Sequence, residues 1–234
     1  MGRKCLDPGE SGLAHLRVID DRRYENINSE RFVMRKEHPI KYRFDVKKAA
    51  QAANKILCLS GGTRNYMEVI KLLCLADREA LLQLECPITG DSIVSMERGL
   101  VLSHIYDLIK GGPGKEEEAP WFDLISASCD YTIKSDAPCN YDELSGAELR
   151  ILESVFEQYG QMDWKQLSRL THQLPEWVDP GKRSIRVPPE QILKLNGKSI
   201  HEIQRIRAEA FTYERLDRDA LRCRQEEQAA KTGE

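Results

Sequence analysis

The residues that could carry chemistry are few and scattered along the chain. None of the five histidines stands at the H-x-x-x-H or H-E-x-x-H spacing that holds a catalytic zinc ion. Two histidines precede a carboxylate closely enough to be oriented by it as a general base, namely His104 before Asp107 and His172 before Glu176. A hydrogen-bonded structural histidine is the simpler interpretation of both pairs. We therefore expect a protein that is not an enzyme, with an enzyme built on one of these pairs as the alternative.

The cysteines and glycines do not form a recognisable metal or phosphate site. Seven cysteines are present, and no two have the short C-x-x-C spacing of a zinc site. Cys58 and Cys74 lie in helical apolar patterns, which predicts free thiols that pack as small core residues. The glycines of "SGGTRNY" lack the spacing and the lysine of a P-loop, so they predict a helix end and a turn. We expect neither metal nor cofactor.

The composition limits the classes of partner. Lys and Arg number 35 against 38 Asp and Glu, which gives a net charge of −3 and makes a nucleic-acid ligand an unfavoured partner. No apolar run reaches the ~18 residues that a membrane span needs. The N-terminal "MGRKCLDPGE" lacks the apolar core of a signal peptide. We expect a cytoplasmic protein without a membrane partner.

The pattern of apolar residues predicts three regions. Residues 1–43 are expected to be an N-terminal appendage that is partly disordered or loosely docked, with short strands in "LAHLRVID" and "RFVMR". Residues 44–211 are expected to form a compact domain. Residues 212–234 carry mixed charges and only a thin apolar stripe, which predicts a C-terminal helical extension or tail.

Helical periodicity dominates the middle region. Asp45 is a plausible N-cap for a first helix, and residues 65–85 are apolar on nearly every side, as in a buried central helix. "VLSHIYDLIKG" predicts a further helix, and "WFDLISASCDYTIKS" is the best strand candidate. Capping boxes at Ser145, Asp163 and Ser199 predict three more helix starts, and "VPPEQILKL" a short helix. The fold class is mainly α (α+β), a helical domain with a small β element.

Three charged residues interrupt the central helix, Lys71, Asp77 and Arg78. Charges in such a position should be paired or should reach the surface. The sequence leaves two interpretations open, a partly buried ion-pair network or a polar spot on a binding face.

The order of the sequence blocks resembles a known family. "RFDVKKAAQAANKILCLSGG", "NYMEVIKLLCLADREALL", "CPITGDSIVSMERGLVLSHIYDLIKG", a tryptophan before a strand, "DELSGAELRILESVFEQYGQMDWKQLSRLTHQLPEW" and "VPPEQILKLNGKSIHEI" follow one another as in the Panacea domain, also called the SocA-like antitoxin domain. The resemblance covers roughly residues 43–207.

The resemblance implies a non-enzymatic antitoxin of a bacterial or phage toxin–antitoxin module. Such a protein neutralises a cognate protein toxin, encoded by an adjacent gene, by direct protein–protein binding. The alternative is a proteolytic adaptor that delivers a partner to a Clp-type protease, or a prophage-encoded regulator of a host protein. Homo-oligomerisation stays open.

The resemblance also draws attention to one position. Relatives usually have glycine–proline–valine where this chain has Gly99, Leu100 and Val101, and proline there would suit a first helical turn. Leu100 therefore either packs inward or marks a changed partner face. We predict the partner-binding residues around the central helix and the turn that follows it: Tyr66, Arg78, Met96, Arg98 and Leu100.

Overall fold

A computed structural model describes residues 39–111, 116–127 and 130–232. Within these ranges the chain folds into eight α-helices and six short strands, which confirms the predicted mainly α fold with a small β element. The helices are α1 (Val46–Leu59), α2 (Tyr66–Gln83), α3 (Ser103–Ile109), α4 (Ala119–Leu124), α5 (Gly146–Tyr159), α6 (Trp164–His172), α7 (Pro189–Leu195) and α8 (Ile200–Thr232). The strands are β1 (Thr63–Asn65), β2 (Ile93–Met96), β3 (Gly99–Leu102), β4 (Ser126–Ala127), β5 (Thr132–Lys134) and β6 (Ile185–Arg186).

The predicted helix starts are confirmed by their caps. The Asp45 carboxylate accepts the N–H groups of the first turn of α1. Ser145 and Asp163 each form a complete capping box at the start of α5 and α6. At the start of α8, the Ser199 hydroxyl accepts from the Glu202 N–H while the Glu202 carboxylate accepts from the Ser199 N–H. Reciprocal bonds of this kind satisfy donors that a helix end would otherwise leave unpaired.

Helix α2 is the centre of the domain, as its nearly continuous apolar surface predicted. It packs against α1, α5, α6, α7 and β3. Eleven of its residues are buried, and these include the charged Lys71 and Asp77. A helix covered on this many sides must bury whatever its sequence places there, so its charged residues need partners inside the protein.

Two small antiparallel sheets lie on this helical frame. One has the strand order β1-β5-β4 and the other β3-β2-β6. Strands β2 and β3 form a tight hairpin in which Met96 pairs with Gly99. The second sheet brings β6, from far along the chain, beside the hairpin.

The prediction that the chain enters a helix at residues 99–101 is wrong. Residues 99–102 form β3, and helix α3 begins only at Ser103. All four residues of β3 are buried, since the strand lies between β2 and the helices that cover it. Because both sides of the strand are apolar, its sequence does not alternate and reads as the continuation of a helix.

The predicted strand over "WFDLISASCDYTIKS" is only partly present. Trp121 lies in helix α4, where the residue is 1% exposed and the helix packs against α1. Extended structure is confined, among the described residues of this stretch, to β4 and β5. Burial of the tryptophan on a short helix outweighed the β-favouring composition of the segment.

The prediction of a free Cys58 is also wrong, because Cys58 of α1 forms a disulfide with Cys139. The loop that carries Cys139 lies along α1, where Asn54 Nδ2 donates to the carbonyl of Pro138 at 3.2 Å and Gln51 Nε2 donates to Asp142 at 2.5 Å. These bonds bring together two cysteines that are 81 residues apart. Cys74 is a free buried thiol, as predicted.

The two ends of the described chain differ in how they attach. Ile40 is 2% exposed, and its N–H donates to Glu190 Oε1 at 2.6 Å. The two strands predicted before residue 36 lie outside the described residues. At the other end, helix α8 continues through residues 212–232. No helix of the described ranges has the length and apolar character of a membrane span.

Candidate partner-contact site

The tip of the β2–β3 hairpin, residues 96–99, is held by side chains that bind its carbonyl groups. The Met96 carbonyl accepts from Trp177 Nε1 at 3.4 Å, and the Glu97 carbonyl lies 3.1 Å from His172 Nε2. The side chains of Glu97 and Arg98 remain exposed. The hairpin tip is thus a turn whose backbone is fixed by other segments while the side chains of Glu97 and Arg98 face solvent.

A buried lysine completes this set of bonds. Lys71 of α2 is 0% exposed, and its Nζ donates to the carbonyl of Arg98 at 2.6 Å and to that of Leu100 at 3.3 Å. The Thr171 hydroxyl is the third neighbour at 3.2 Å. Three acceptors match the three donors of an ammonium group, and no carboxylate forms an ion pair with Lys71 in the described part of the chain. Burial lowers the pKa of Lys71 to about 8.

Gly99 makes this arrangement sterically feasible. Its φ is +94°, a backbone conformation that side chains with a Cβ rarely adopt. An added Cβ would overlap the Thr171 hydroxyl and would lie 3.0 Å from Lys71 Nζ. Glycine here is therefore required by the close approach of α2 and α6 to the turn.

Aromatic and cationic side chains surround the hairpin tip. The guanidinium of Arg98 lies 5.7 Å from the centre of the Trp164 ring, and Lys165 Nζ lies 5.6 Å from it. The rings of His172 and Trp177 are in contact, with centroids 4.5 Å apart. We call the group Met96, Glu97, Arg98, Trp164, His172 and Trp177 the hairpin surface. Tryptophan, arginine and methionine are the residues that protein interfaces favour.

The structure separates the five predicted contact residues. Met96 and Arg98 belong to the hairpin surface. Leu100 lies next to them in sequence but is 0% exposed, so the inward-packing alternative holds and its side chain is not part of a surface. The two others, Tyr66 and Arg78, lie elsewhere on α2.

Tyr66 forms a second exposed cluster at the start of α2. Lys110 Nζ donates to the Tyr66 hydroxyl at 2.8 Å and lies 4.5 Å from the centre of its ring. The ring of Tyr131, a residue that is 74% exposed and has a φ of +61°, is 6.3 Å away. This cluster is accessible to a partner, but none of its bonds connects it to the hairpin tip.

The Arg78 side chain is held by contacts inside the domain. Its Nε is paired with the carboxylate of Glu176, which is 0% exposed, and another of its nitrogens donates to Asn196 Oδ1 at 2.6 Å. Only 12% of the Arg78 side chain is exposed. Of the two interpretations left open by the sequence, the buried ion pair describes Arg78. Glu176 directly precedes Trp177, so this pair also fixes one end of the hairpin surface.

Lys71 and Asp77 do not join Arg78 in one network. Asp77 accepts from the N–H of Thr89 at 3.0 Å and from its hydroxyl. Burial raises the pKa of Asp77 to about 7. Lys71, Asp77 and Arg78 are therefore satisfied separately, by carbonyl groups, by a threonine and by a carboxylate.

The structure does not bring together the two histidine–carboxylate pairs from the sequence. Glu176 is engaged with Arg78 and not with His172. His104 Nδ1 lies 2.8 Å from Asp91 instead of pairing with Asp107, and this hydrogen bond raises the pKa of His104. Asp91 also accepts from the N–H of Ile105 at 3.0 Å, which makes it a cap of α3. Among the described residues no group of three histidine, cysteine or acidic side chains is placed to hold a metal ion.

Sequence reasoning did not single out four members of the hairpin surface as contact residues: Glu97, Trp164, His172 and Trp177. The two tryptophans carried a signal, since tryptophan is a frequent interface anchor, but the sequence favoured a core position for each. His172 gave no such signal, because its neighbour Glu97 is 75 residues away. Long-range contacts of this kind have no local pattern.

The comparisons with known proteins bear on this segment of the chain. Residues 69–178 match the family described as "Antitoxin SocA-like, Panacea domain". The match confirms the resemblance seen in the sequence, and it runs from the first turn of α2 to just beyond Trp177. It therefore contains the whole hairpin surface. No curated protein and no solved structure matches the chain significantly.

Proposed function

We propose that this chain is a bacterial or phage antitoxin that neutralises a cognate protein toxin by binding it directly. The observation that carries the proposal is the family match over residues 69–178. The proposed toxin is the product of an adjacent gene, and the proposed place of the encounter is the cytoplasm. The chain acts in this proposal as a binding protein and not as an enzyme.

The hairpin surface supports the proposal and is our proposed contact. Its backbone is held by Lys71, His172 and Trp177, so little conformational entropy is lost when a partner docks. Trp164 and Arg98 already contact each other, and such pre-positioned pairs are typical hot spots. A stable complex should bury about 1,200–2,000 Å² in total, so the contact would extend beyond these side chains and occlude the toxin.

A growth assay tests the proposal. The adjacent gene is expressed alone and together with this chain, and the two products are then purified through a tag on one of them. We expect growth to stop in the first case, to recover in the second, and the two proteins to co-purify. A harmless neighbour contradicts the toxin–antitoxin role, and rescue without a complex favours an adaptor or a regulator.

Variants locate the contact. Arg98→Ala combined with Trp164→Ala should weaken co-purification, because it removes both side chains of the cation–aromatic pair. Arg150→Ala is the matched control, since Arg150 is an exposed arginine on α5 outside the hairpin surface. Equal recovery of the toxin with both proteins would move the contact away from the hairpin surface.

A further inference from the structure

Strand β6 is an exposed edge of the sheet that contains the hairpin. Among the described strands, in the order β3-β2-β6, it pairs with β2 alone. Residues 181–186 are all exposed, so neither face of this strand nor its outer side is covered by the described part of the chain. We call residues 181–186 the β6 edge.

The backbone of the β6 edge has groups directed away from the sheet. The Val187 N–H donates to the Ile93 carbonyl at 2.9 Å, and the next pair in the register joins Arg186 with Val94. In an antiparallel ladder, hydrogen-bonded and non-hydrogen-bonded pairs alternate. The N–H and C=O of Arg186 therefore point away from β2, as a further strand would need them.

An apolar spot lies beside these backbone groups. Ile185 is 42% exposed and pairs with Ser95 of β2. The Ser95 hydroxyl accepts from the N–H of Val178 at 3.2 Å, and Val178 is 43% exposed. Because paired residues of an antiparallel sheet share a face, Val178 and Ile185 lie on the same side of the sheet. Val178 directly follows Trp177 of the hairpin surface in the sequence.

The charge of the β6 edge is positive and uncompensated. Lys182, Arg183 and Arg186 form no ion pair with a carboxylate in the described ranges. Asp179 is the nearest acid in sequence, and its carboxylate accepts from the Gly181 N–H at 2.8 Å. Lys55, by comparison, is paired with Glu153 at 2.6 Å. A local cluster of three cations without carboxylate partners is complementary to an acidic segment.

We propose that the β6 edge binds an extended, acidic segment of a protein partner, which adds to the sheet as a strand beside β6. Its backbone bonds to the N–H and C=O of Arg186, an apolar side chain covers Val178 and Ile185, and its carboxylates face Lys182 and Arg183. Strand addition of this kind takes affinity from the main chain and specificity from side chains. In so far as the partner is the toxin, the inference rests on the proposed function.

A peptide experiment tests the β6 edge without the toxin. The probe is a fluorescein-labelled synthetic peptide in which glutamate alternates with valine and threonine, and the control replaces each glutamate with lysine. With the full chain, we expect anisotropy to rise for the acidic peptide only, and its affinity to fall with added salt. Equal binding of both peptides, or of neither, would overturn the proposal.

Two sets of variants separate charge from strand addition. Lys182→Glu combined with Arg183→Glu should lower the affinity for the acidic peptide at least about tenfold. Arg186→Pro removes an outward N–H and leaves the Val187 N–H in place, whereas Arg186→Gln removes only the charge. We expect the proline variant to bind at least about threefold more weakly than the glutamine variant. Equal affinity of the proline and glutamine variants for the acidic peptide contradicts strand addition. If Arg186→Pro fails to fold, the Lys182→Glu, Arg183→Glu variant still tests the proposal, because both of its substitutions are at exposed positions.

Other occupants would give different results. If β6 pairs with a second copy of the chain, sedimentation will show a dimer that Arg186→Pro dissociates, and the peptide will not bind. If the cations serve a nucleic acid, a labelled oligothymidine will bind more tightly than the peptide. Either result would overturn the proposal.

The toxin assay distinguishes failure of the inference from failure of the proposed function. A toxin that is neutralised equally by the wild type and by the Lys182→Glu, Arg183→Glu variant leaves the antitoxin role intact and contradicts the β6 edge as its contact. A harmless neighbouring gene contradicts the antitoxin role, while specific binding of the acidic peptide still supports the β6 edge.

Discussion

The hairpin tip and the β6 edge lie in one sheet but are held in opposite ways. Residues of α2, α6 and the following segment bind every carbonyl from Met96 to Arg98. In contrast, the loop before β6 has local bonds, such as the Arg183 N–H to the Pro180 carbonyl at 3.2 Å. A fixed turn beside an adaptable edge can combine a pre-positioned anchor with a strand that adjusts to its partner. Stability should therefore be sensitive to substitutions that disturb the fixed backbone of the tip, and tolerant of substitutions in the β6 edge.

The largest contrast should come from two glycine substitutions. Gly99→Ala should lower the free energy of unfolding by about 4 kcal/mol or more, because it combines a positive φ with overlap on Thr171. Gly181→Ala is the control, since Gly181 has a φ of +59° but no atom within 4 Å of the added Cβ. It should cost only ~1 kcal/mol. Urea denaturation of both variants measures the difference, and similar losses would show that the tip is not sterically tight.

Arg78→Ala should cause the second-largest loss in the free energy of unfolding. It would leave the buried Glu176 carboxylate without its cation, at a cost of about 3 kcal/mol. Tyr66→Phe should be within ~1 kcal/mol of the wild type, because it removes a single exposed hydrogen bond. Chemical denaturation of both variants measures these losses. A large loss for Arg78→Ala alone would mean that Arg78 supports the fold, whereas Tyr66 is free to act in binding. A stable Arg78→Ala protein that no longer binds its partner would reverse this assignment.

Lys71→Met should change how the stability of the tip depends on pH. The pKa of Lys71 is about 8 in the folded chain and 10.5 when unperturbed, so between these values the unfolded chain binds more protons. The wild type should therefore gain stability relative to the variant as pH rises from 8 to 10.5, by up to ~3 kcal/mol. Denaturation curves at both ends of this window provide the test. A difference in the free energy of unfolding that stays constant between pH 8 and 10.5 would mean that Lys71 does not titrate in this window.

The smallest effect on stability is expected at the exposed side chains. Arg98→Ala and Lys182→Ala should each change the free energy of unfolding by less than ~0.5 kcal/mol, because neither side chain supports the fold. Both should keep the wild-type thermal midpoint while they reduce recovery of the partner. A marked fall in the midpoint of Arg98→Ala would mean that its contact with Trp164 is structural.

The sequence predicted the parts of this fold that depend on local chemistry. Ser145 and Asp163 revealed helix starts because a capping box needs only four residues, and α2 was visible from its continuous apolar surface. Strand β3 was mistaken for helix because Val101 and Leu102 continue the apolar spacing of Ile105 and Leu108. The site could be predicted less well, because Lys71 binds groups of residues that lie 27, 29 and 100 positions away in the sequence. No periodicity encodes such contacts.

Helix α8 continues for many residues beyond those that anchor it to the domain core. Its first turns are anchored by Ile203, Ile206 and Ala210, which are at most 5% exposed. Residues 211–232 continue the helix for ~33 Å at 1.5 Å per residue. One residue inserted after Ala210 would turn everything downstream by about 100° and displace it by about 1.5 Å. The orientation of any group attached to the end of α8, relative to the domain, therefore depends on the number of helical residues between that group and the domain.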